Sequence, residues 1–497
     1  MGKSPAHIQP VPAGAAACPP GRSAVAGAPG NRLRRSFRVR DGVALIVSNV
    51  IGAGVFTTIA SISRLAPQPW IYLTLWIAGG ALALAGALSY AQLGRRWPSA
   101  GGEYVYLSNA YGPTAGFLSG WTSLIAGFSG AVAFGAVAFA SYLGQYFPAL
   151  ASDRSLLSFG FHAGAVTVSP RALTAVFVIA AFAVLHACNF GAGKITQNAL
   201  AFLILGIVAG FCALGFSIGT GSWSHFHSPD APLRPVNWLL AFIPIMFSYS
   251  GWNAASYVAE EMHDTERTIG RALLIGTALI IVLYVLLNAL YLYAVPPAQM
   301  QDAHNIGAVA AHALFGVGQN FMTPAILVAL LGSISAMSIA GPRVYFAMSR
   351  DGAFIPGFAR ISPRFGTPAL AIALQALWSI LLVLVGGFDQ IMMYTGFMIL
   401  LSSGAAVAGL FVARRRELRL YPKLWLKMLV PAVFVIACTA IVVNTVWGAP
   451  KTALLGCLLI AAGLPVFYWS RWRRPVVIAS TLAGGENSRL LHRSMPE

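Results

Sequence analysis

The chain has 497 residues, 57% hydrophobic and only 9% charged, with a mean hydropathy of +0.72. Ordinary soluble domains carry roughly 25% charged residues, so this composition excludes a soluble enzyme or binding module and implies a multi-span membrane protein. The net charge of +18 is scattered over short segments rather than gathered on one domain, which argues against a nucleic-acid partner.

Residues 1–40 are rich in Ala, Pro and Gly and lack the basic start, apolar run and cleavage site of a signal peptide, so they read as a disordered tail. Residues 476–497 read alike. Between the tails, apolar runs of the length that crosses a bilayer core fall at 42–63, 70–94, 113–148, 171–190, 195–219, 236–260, 271–295, 322–346, 368–386, 390–413, 426–446 and 451–470. The third exceeds one crossing, which implies tilt or an aqueous extension. With both termini in the cytoplasm, 27 of the 32 Lys and Arg residues fall on inner segments and 5 on outer ones. That asymmetry is the one cytoplasmic loops impose, and it places the chain in the cytoplasmic membrane with an even number of spans.

The first run contains "SNVIGAGVF", Ser48 to Phe56. Gly52, Ala53 and Gly54 are either a seam where helices approach closely or a break, which survives in hydrocarbon only where its freed backbone groups face a cavity or a ligand. The sixth run carries a second interruption, "FSYSGWNAASYVAEE", in which Ser248, Tyr249, Ser250 and Gly251 interrupt the apolar pattern and polar Asn253 and Ser256 follow. Matched interruptions in two halves point to the binding site of a secondary transporter built from inverted repeats.

Further motifs add to this pattern. The stretches "IGAGVF", "RRWPSAGGEYVYLSNAYGPTAGFLSGW" (Arg95 to Trp121), "FSYSGWNAASYVAEEMHDTERTIGRAL" (Phe247 to Leu273) and "PRVYFAMSRDGAFIP" (Pro342 to Pro356) together resemble the amino acid/polyamine/organocation (APC) superfamily of permeases, and within it the bacterial amino acid permeases close to the L-type amino acid transporters. The resemblance implies an all-α membrane protein of twelve transmembrane helices, a 5+5 inverted repeat with broken helices 1 and 6, plus two extra helices. It implies a first repeat over 41–220, a second over 236–413 and the extra helices over 424–475. Substrate is then expected midway across the membrane, held by helices 1, 6, 3, 8 and 10.

The chemistry of the two interruptions suits an α-amino acid. Amides freed at Gly52, Ala53 and Gly54, at the positive end of the following half-helix, offer donors to a carboxylate. Carbonyls freed near Phe247 to Ser250 offer acceptors to an ammonium group. The candidate substrate-binding residues are Asn49, Ile51, Gly52, Ala53 and Gly54 in the first run and Phe247, Ser248, Tyr249, Ser250, Gly251 and Asn253 in the sixth. In the resemblance, Phe247 is the aromatic that closes over substrate. Asn49 lines the site or bonds between helices, and Asn253 contacts or supports the substrate. Leucine at Gly54 is expected to abolish binding and leave the fold intact, by blocking approach to the backbone.

Other residues carry weaker expectations. None of the 14 acidic residues falls at the centre of an apolar run, which ranks polyamine transport below amino acid transport. Glu103 reads as a packed hydrogen-bonding group, and His186 as an interfacial histidine with a proton relay as the alternative. Many sodium-independent relatives in the superfamily place a Lys in helix 5; here Leu203 or Ile204 stands near that place and Lys194 lies at the helix start. Ser333, Ser335 and Ser338 leave a sodium site conceivable, with Ser335 and Ser338 the coupling candidates. The five cysteines have no metal-type spacing, and no metal or cofactor is expected. The absence of a Gly-rich phosphate loop argues against an ATP-driven pump or a membrane enzyme. The function expected is secondary transport of an amino acid, with a neutral one favoured, by proton symport or exchange. A cationic amino acid or polyamine carrier and a non-transporting sensor are the alternatives, and the oligomeric state is left open.

Overall fold

The computed structural model describes residues 33–472 apart from Ala53, 162–163, 228–234, 304, 387, 421–423 and 449. The expected tail 476–497 and residues 1–32 of the expected N-terminal tail lie outside the described residues. The long helices are α1 (Val39–Val50), α2 (Pro69–Arg96), α3 (Pro113–Leu143), α4 (Pro170–Cys188), α5 (Phe190–Ile218) and α6 (Pro235–Tyr249). They continue with α7 (Thr265–Ala294), α8 (Thr323–Arg350), α9 (Ala369–Val385), α10 (Phe388–Ala413) and α11 (Leu424–Gly448), then Pro450–Ala461 and Gly463–Trp472. Eight helices of the described residues are long and apolar enough to cross a membrane.

Helix starts follow local chemistry. Proline, whose missing N–H costs nothing in a first turn, opens α2, α3, α4 and α6. Ser169 Oγ accepts from Ala172 N (3.2 Å) and Asn189 Oδ1 from Ala192 N (2.9 Å), so side chains cap α4 and α5.

The fold is not wholly helical. Between α3 and α4, Leu157–Phe161 and Gly164–Val168 pair antiparallel, with Leu157 opposite Val168 and Phe161 opposite Gly164. The all-α expectation missed this hairpin because its strands are short and lie outside the apolar runs; Val166, Thr167 and Val168 are the β-branched residues that favour it.

Helices five apart in order pack on one another: α2 on α7, α3 on α8, and α4 on α9. The centre of α2 and α7 is aromatic, with the Trp76 ring 5.7 Å from Tyr284 and 5.8 Å from Tyr249. The third run contains a π-helical turn, Ser123–Gly127, between two α-helical parts. One extra residue in that turn rotates the following helix relative to the preceding one, and it does so beside the cavity described next.

Candidate functional site

Both interrupted runs are broken. The Gly52 amide turns back to the Val50 carbonyl (2.9 Å), and the chain becomes helical again over Gly54–Thr57 and Ile59–Leu65. Pro244 lies inside α6, which ends at Tyr249; Gly251 then adopts φ +101° and the chain continues as a 3-10 helix over Ala254–Glu261. The breaks are tied together. Thr58 Oγ1 donates to the Gly54 carbonyl (2.8 Å) and lies 2.8 Å from Ser248 Oγ. The Tyr284 hydroxyl lies 2.8 Å from the Val50 carbonyl and 3.2 Å from that of Ser248, so its one proton sits between carbonyls in the last turns of both helices. Tyr284→Phe is expected to remove about 1–3 kcal/mol by leaving buried acceptors without a donor, read as a lower melting temperature of purified protein. An unchanged melt would show that those carbonyls find another donor.

A cavity of about 60 Å³ opens at the breaks, lined by Asn49, Gly52, Gly54, Phe247, Ser250 and Ser333 with apolar Phe134, Leu330 and Met337. A second, of about 120 Å³, shares Asn49, Phe247, Ser250, Met337 and Thr395 with the first and extends past Gly251 and Asn253 to Glu103, Thr122 and Ser402. The two are parts of one space between both breaks and helices α3, α8 and α10.

A family model described as amino acid permease matches residues 39–469. The chain belongs to the amino acid permease family. Its relatives include the rat "Large neutral amino acids transporter small subunit 2", 26% identical over 456 residues, covering 90% of this chain and 83% of the relative. The "Asc-type amino acid transporter 1" of mouse is 25% identical over 450 residues, covering 88% and 81%. The "Serine/threonine exchanger SteT" of Bacillus subtilis (strain 168) is 26% identical over 457 residues, covering 89% and 98%. The permease is thus a multi-pass membrane protein and not an enzyme.

The permease brings seven of the eleven sequence-derived candidates to the shared space: Asn49, Gly52, Gly54, Phe247, Ser250, Gly251 and Asn253. Ala53 lies outside the described residues. Ile51 is packed in the core. Ser248 is turned to Thr58 and the Pro244 carbonyl (2.9 Å). Tyr249 points away, its hydroxyl donating to the Trp76 carbonyl (3.1 Å). The backbone groups are also less free than the sequence suggests: the Gly52 amide is spent on Val50, and the Phe247 carbonyl accepts from Ser250 N (3.0 Å).

On α8, Leu330, Ser333 and Met337 face the cavity. Their i, i+3, i+7 spacing defines one helical face, and Ser335 and Ser338 fall off it. Ser335 lies 2.9 Å from His186 Nε2, and Ser338 borders a separate small void beside Pro342 and Gln375. His186 is therefore buried against α8 rather than interfacial. On α5, Ile204 is buried and Leu203 exposed, so the inward position carries no charge. Lys194 instead meets Asp41 Oδ2 at 2.9 Å at the start of α1.

Glu103 is the packed hydrogen-bonding group expected from the sequence, and it also borders the second cavity. Gly101 and Gly102 precede it with φ +116° and +53°, and a Cβ on Gly102 would lie 2.6 Å from the Tyr257 ring. Only glycine permits that approach, and it delivers the start of the short helix Glu103–Tyr111 to the cavity wall. The Glu103 carboxylate accepts from Tyr90 OH (2.8 Å), Asn253 Nδ2 and Tyr257 OH. Beside Glu103 in the chain, Tyr104 OH donates to Asp351 Oδ2 (3.0 Å). Burial raises the Asp351 carboxyl above the ordinary carboxylate range, with Tyr104 and then Arg350 pulling it part of the way back.

Proposed function

We propose that the permease moves a neutral amino acid across the cytoplasmic membrane by alternating access, as a proton symporter or an exchanger, and that the shared cavity is its substrate site. The observation that carries this reading is the meeting of two broken helices in one cavity with an apolar wall. The carboxylate sits at Gly52–Gly54 beside the Ser333 hydroxyl, whose oxygen lies 3.0 Å from where a Gly52 Cβ would stand. The ammonium group sits toward Phe247, Ser250 and Asn49. An uncharged side chain packs on Phe134, Leu330 and Met337, which bring no charged group or hydrogen-bond donor to it. The relatives' names, two of them amino acid transporters and one a serine/threonine exchanger, support the same substrate class.

The architecture proposed is twelve spans with cytoplasmic termini: a first repeat over 41–220, an inverted second repeat over 236–413, and two further helices over 424–475. Packing of α2 on α7, α3 on α8 and α4 on α9 supports it, since helices related by such a repeat are five apart. Coupling through a proton or counter-substrate is favoured over sodium because neither Ser335 nor Ser338 borders the cavity.

Proteoliposomes given radiolabelled leucine, alanine, serine, arginine and putrescine, under separately imposed sodium, proton and counter-substrate gradients, test this. Accumulation of a neutral amino acid driven by protons or exchange is expected. Uptake of arginine or putrescine alone, or binding without flux, overturns the reading.

A further inference from the structure

The buried carboxylates of the permease differ in one respect. Asp41 meets Lys194 at 2.9 Å and Glu261 meets Arg343 at 2.8 Å, while the partly buried Glu260 meets Arg350 at 2.8 Å. Glu103 is 6% exposed, and among the described residues it forms no ion pair. Three neutral donors hold it, which orients the carboxyl group and brings no cationic side chain to it. A charge taken out of water is ordinarily paired with an opposite one. The rings that carry two of the Glu103 donors are packed in place: Tyr90 lies edge-to-face on Tyr106 (5.4 Å) and Trp252 (4.7 Å), and Tyr257 on Phe128 (4.9 Å), so the donors and the carboxylate between them are held rigidly. Glu103 borders the same space as Asn49, Phe247, Ser250 and Gly251, whereas the carbonyls of Phe247 and Ser248 already accept hydrogen bonds within the protein.

We propose that Glu103 forms a second cation subsite of the permease, at the end of the cavity away from the Gly52–Gly54 break, which takes the α-ammonium group of the transported amino acid as it passes between the breaks and one membrane face. The proposal rests on the amino acid transport reading above. An arriving ammonium competes with Asn253 Nδ2 for the carboxylate, and Asn253 stands two residues after Gly251, so occupancy of the subsite is transmitted to the second half of the broken helix. Because the subsite lies on one side of the breaks, its contribution to affinity is felt from one face of the membrane only.

The test compares Glu103→Gln with the unaltered chain, measuring the KM for leucine from the outer face in intact cells and from the inner face in inverted membrane vesicles. The glutamine keeps the shape and removes the charge. In the twelve-span topology proposed above the segment between α2 and α3 lies on the inner side, so a rise of about tenfold in KM is expected at the inner face, the size of one charge-assisted hydrogen bond, with the outer-face KM within about twofold and recovery in Glu103→Asp. The α-hydroxy analogue of leucine, which has no ammonium group, should compete equally well against the variant and the unaltered chain. Equal KM changes at both faces indicate a structural role and overturn the proposal, as does loss of proton or sodium dependence without a one-sided KM change. Should the variant not fold, the unaltered chain decides: leucine must outcompete its hydroxy analogue by a larger factor at the inner face than at the outer, and equal factors overturn the subsite. Absence of any flux in the unaltered chain would instead remove the transport reading itself.

Discussion

Arg343→Met is expected to destabilise the permease by about 3–5 kcal/mol, the cost of leaving a buried charge without its partner. The Arg343 guanidinium grips Glu261 twice, Nε to Oε1 at 2.8 Å and Nη2 to Oε2 at 3.2 Å, and its Nη1 donates to the Ile339 carbonyl at 2.8 Å. The side chains are 3% and 1% exposed, so solvent cannot take over either charge. The position multiplies the effect. Backbone amides of Ser36 and Phe37 donate to the Glu261 carbonyl at 2.8 and 2.9 Å, and His263 N returns a bond to the Phe37 carbonyl at 2.9 Å. One pair thus fastens α8 to the second half of the sixth run and to the segment leading into α1. Loss of yield and a lowered melting temperature of detergent-purified protein are the readouts. The double variant Glu261→Gln/Arg343→Met, which removes both charges, should recover most of the loss. A single variant that melts like the unaltered chain would show that Glu261 is held neutral or finds another cation.

Much of this arrangement could be read before the structure, and the remainder failed for identifiable reasons. Apolar runs set the helices because a bilayer-sized stretch leaves the backbone few alternatives; the run read at 70–94 is the helix Pro69–Arg96. The breaks were legible for the same reason, since Gly52-Ala53-Gly54 and Ser248-Tyr249-Ser250-Gly251 stand out in hydrocarbon. Facing was not. Once the chain leaves the helical period, adjacent residues turn to unrelated directions, so Ser250 reaches the cavity and Tyr249 enters the aromatic core beside Trp76. The π-helical turn at Ser123–Gly127 breaks the period again in α3. Glu103 is the packed hydrogen-bonding group that its glycine-bearing stretch suggests, but its place on the cavity wall is not legible from that stretch, because a glycine pair in a loop folds the carboxylate back against the sixth run. Tyr284 carries a signal only in retrospect, as a hydroxyl in the middle of an apolar helix.

Gly251→Val is expected to lower amino acid uptake by about thirtyfold or more, combining backbone strain with overpacking at about 1–3 kcal/mol each. At φ +101° any side chain is strained, and a Cβ on Gly251 would lie 3.0 Å from the carbonyl carbon and oxygen and Cγ of Asn49. The contact has a counterpart across the interface. A Cβ on Gly54 would lie 3.1 Å from Ser248 Cα, so each broken run presses a glycine against the backbone of the other. The sequence expectation that leucine at Gly54 blocks only the ligand is therefore too narrow, because the added atoms first push the sixth run away from the first. Gly52 supplies the contrast. Its nearest neighbour is the Ser333 hydroxyl, 3.0 Å from a Cβ, and a serine side chain can change rotamer where a backbone cannot. Uptake at matched membrane abundance should then fall in the order Gly52→Ala, Gly54→Ala, Gly251→Val, from the mildest loss to the severest. Equal losses at all three positions would mean that their glycines serve ligand approach alone, and that the close meeting of the two breaks contributes nothing to transport.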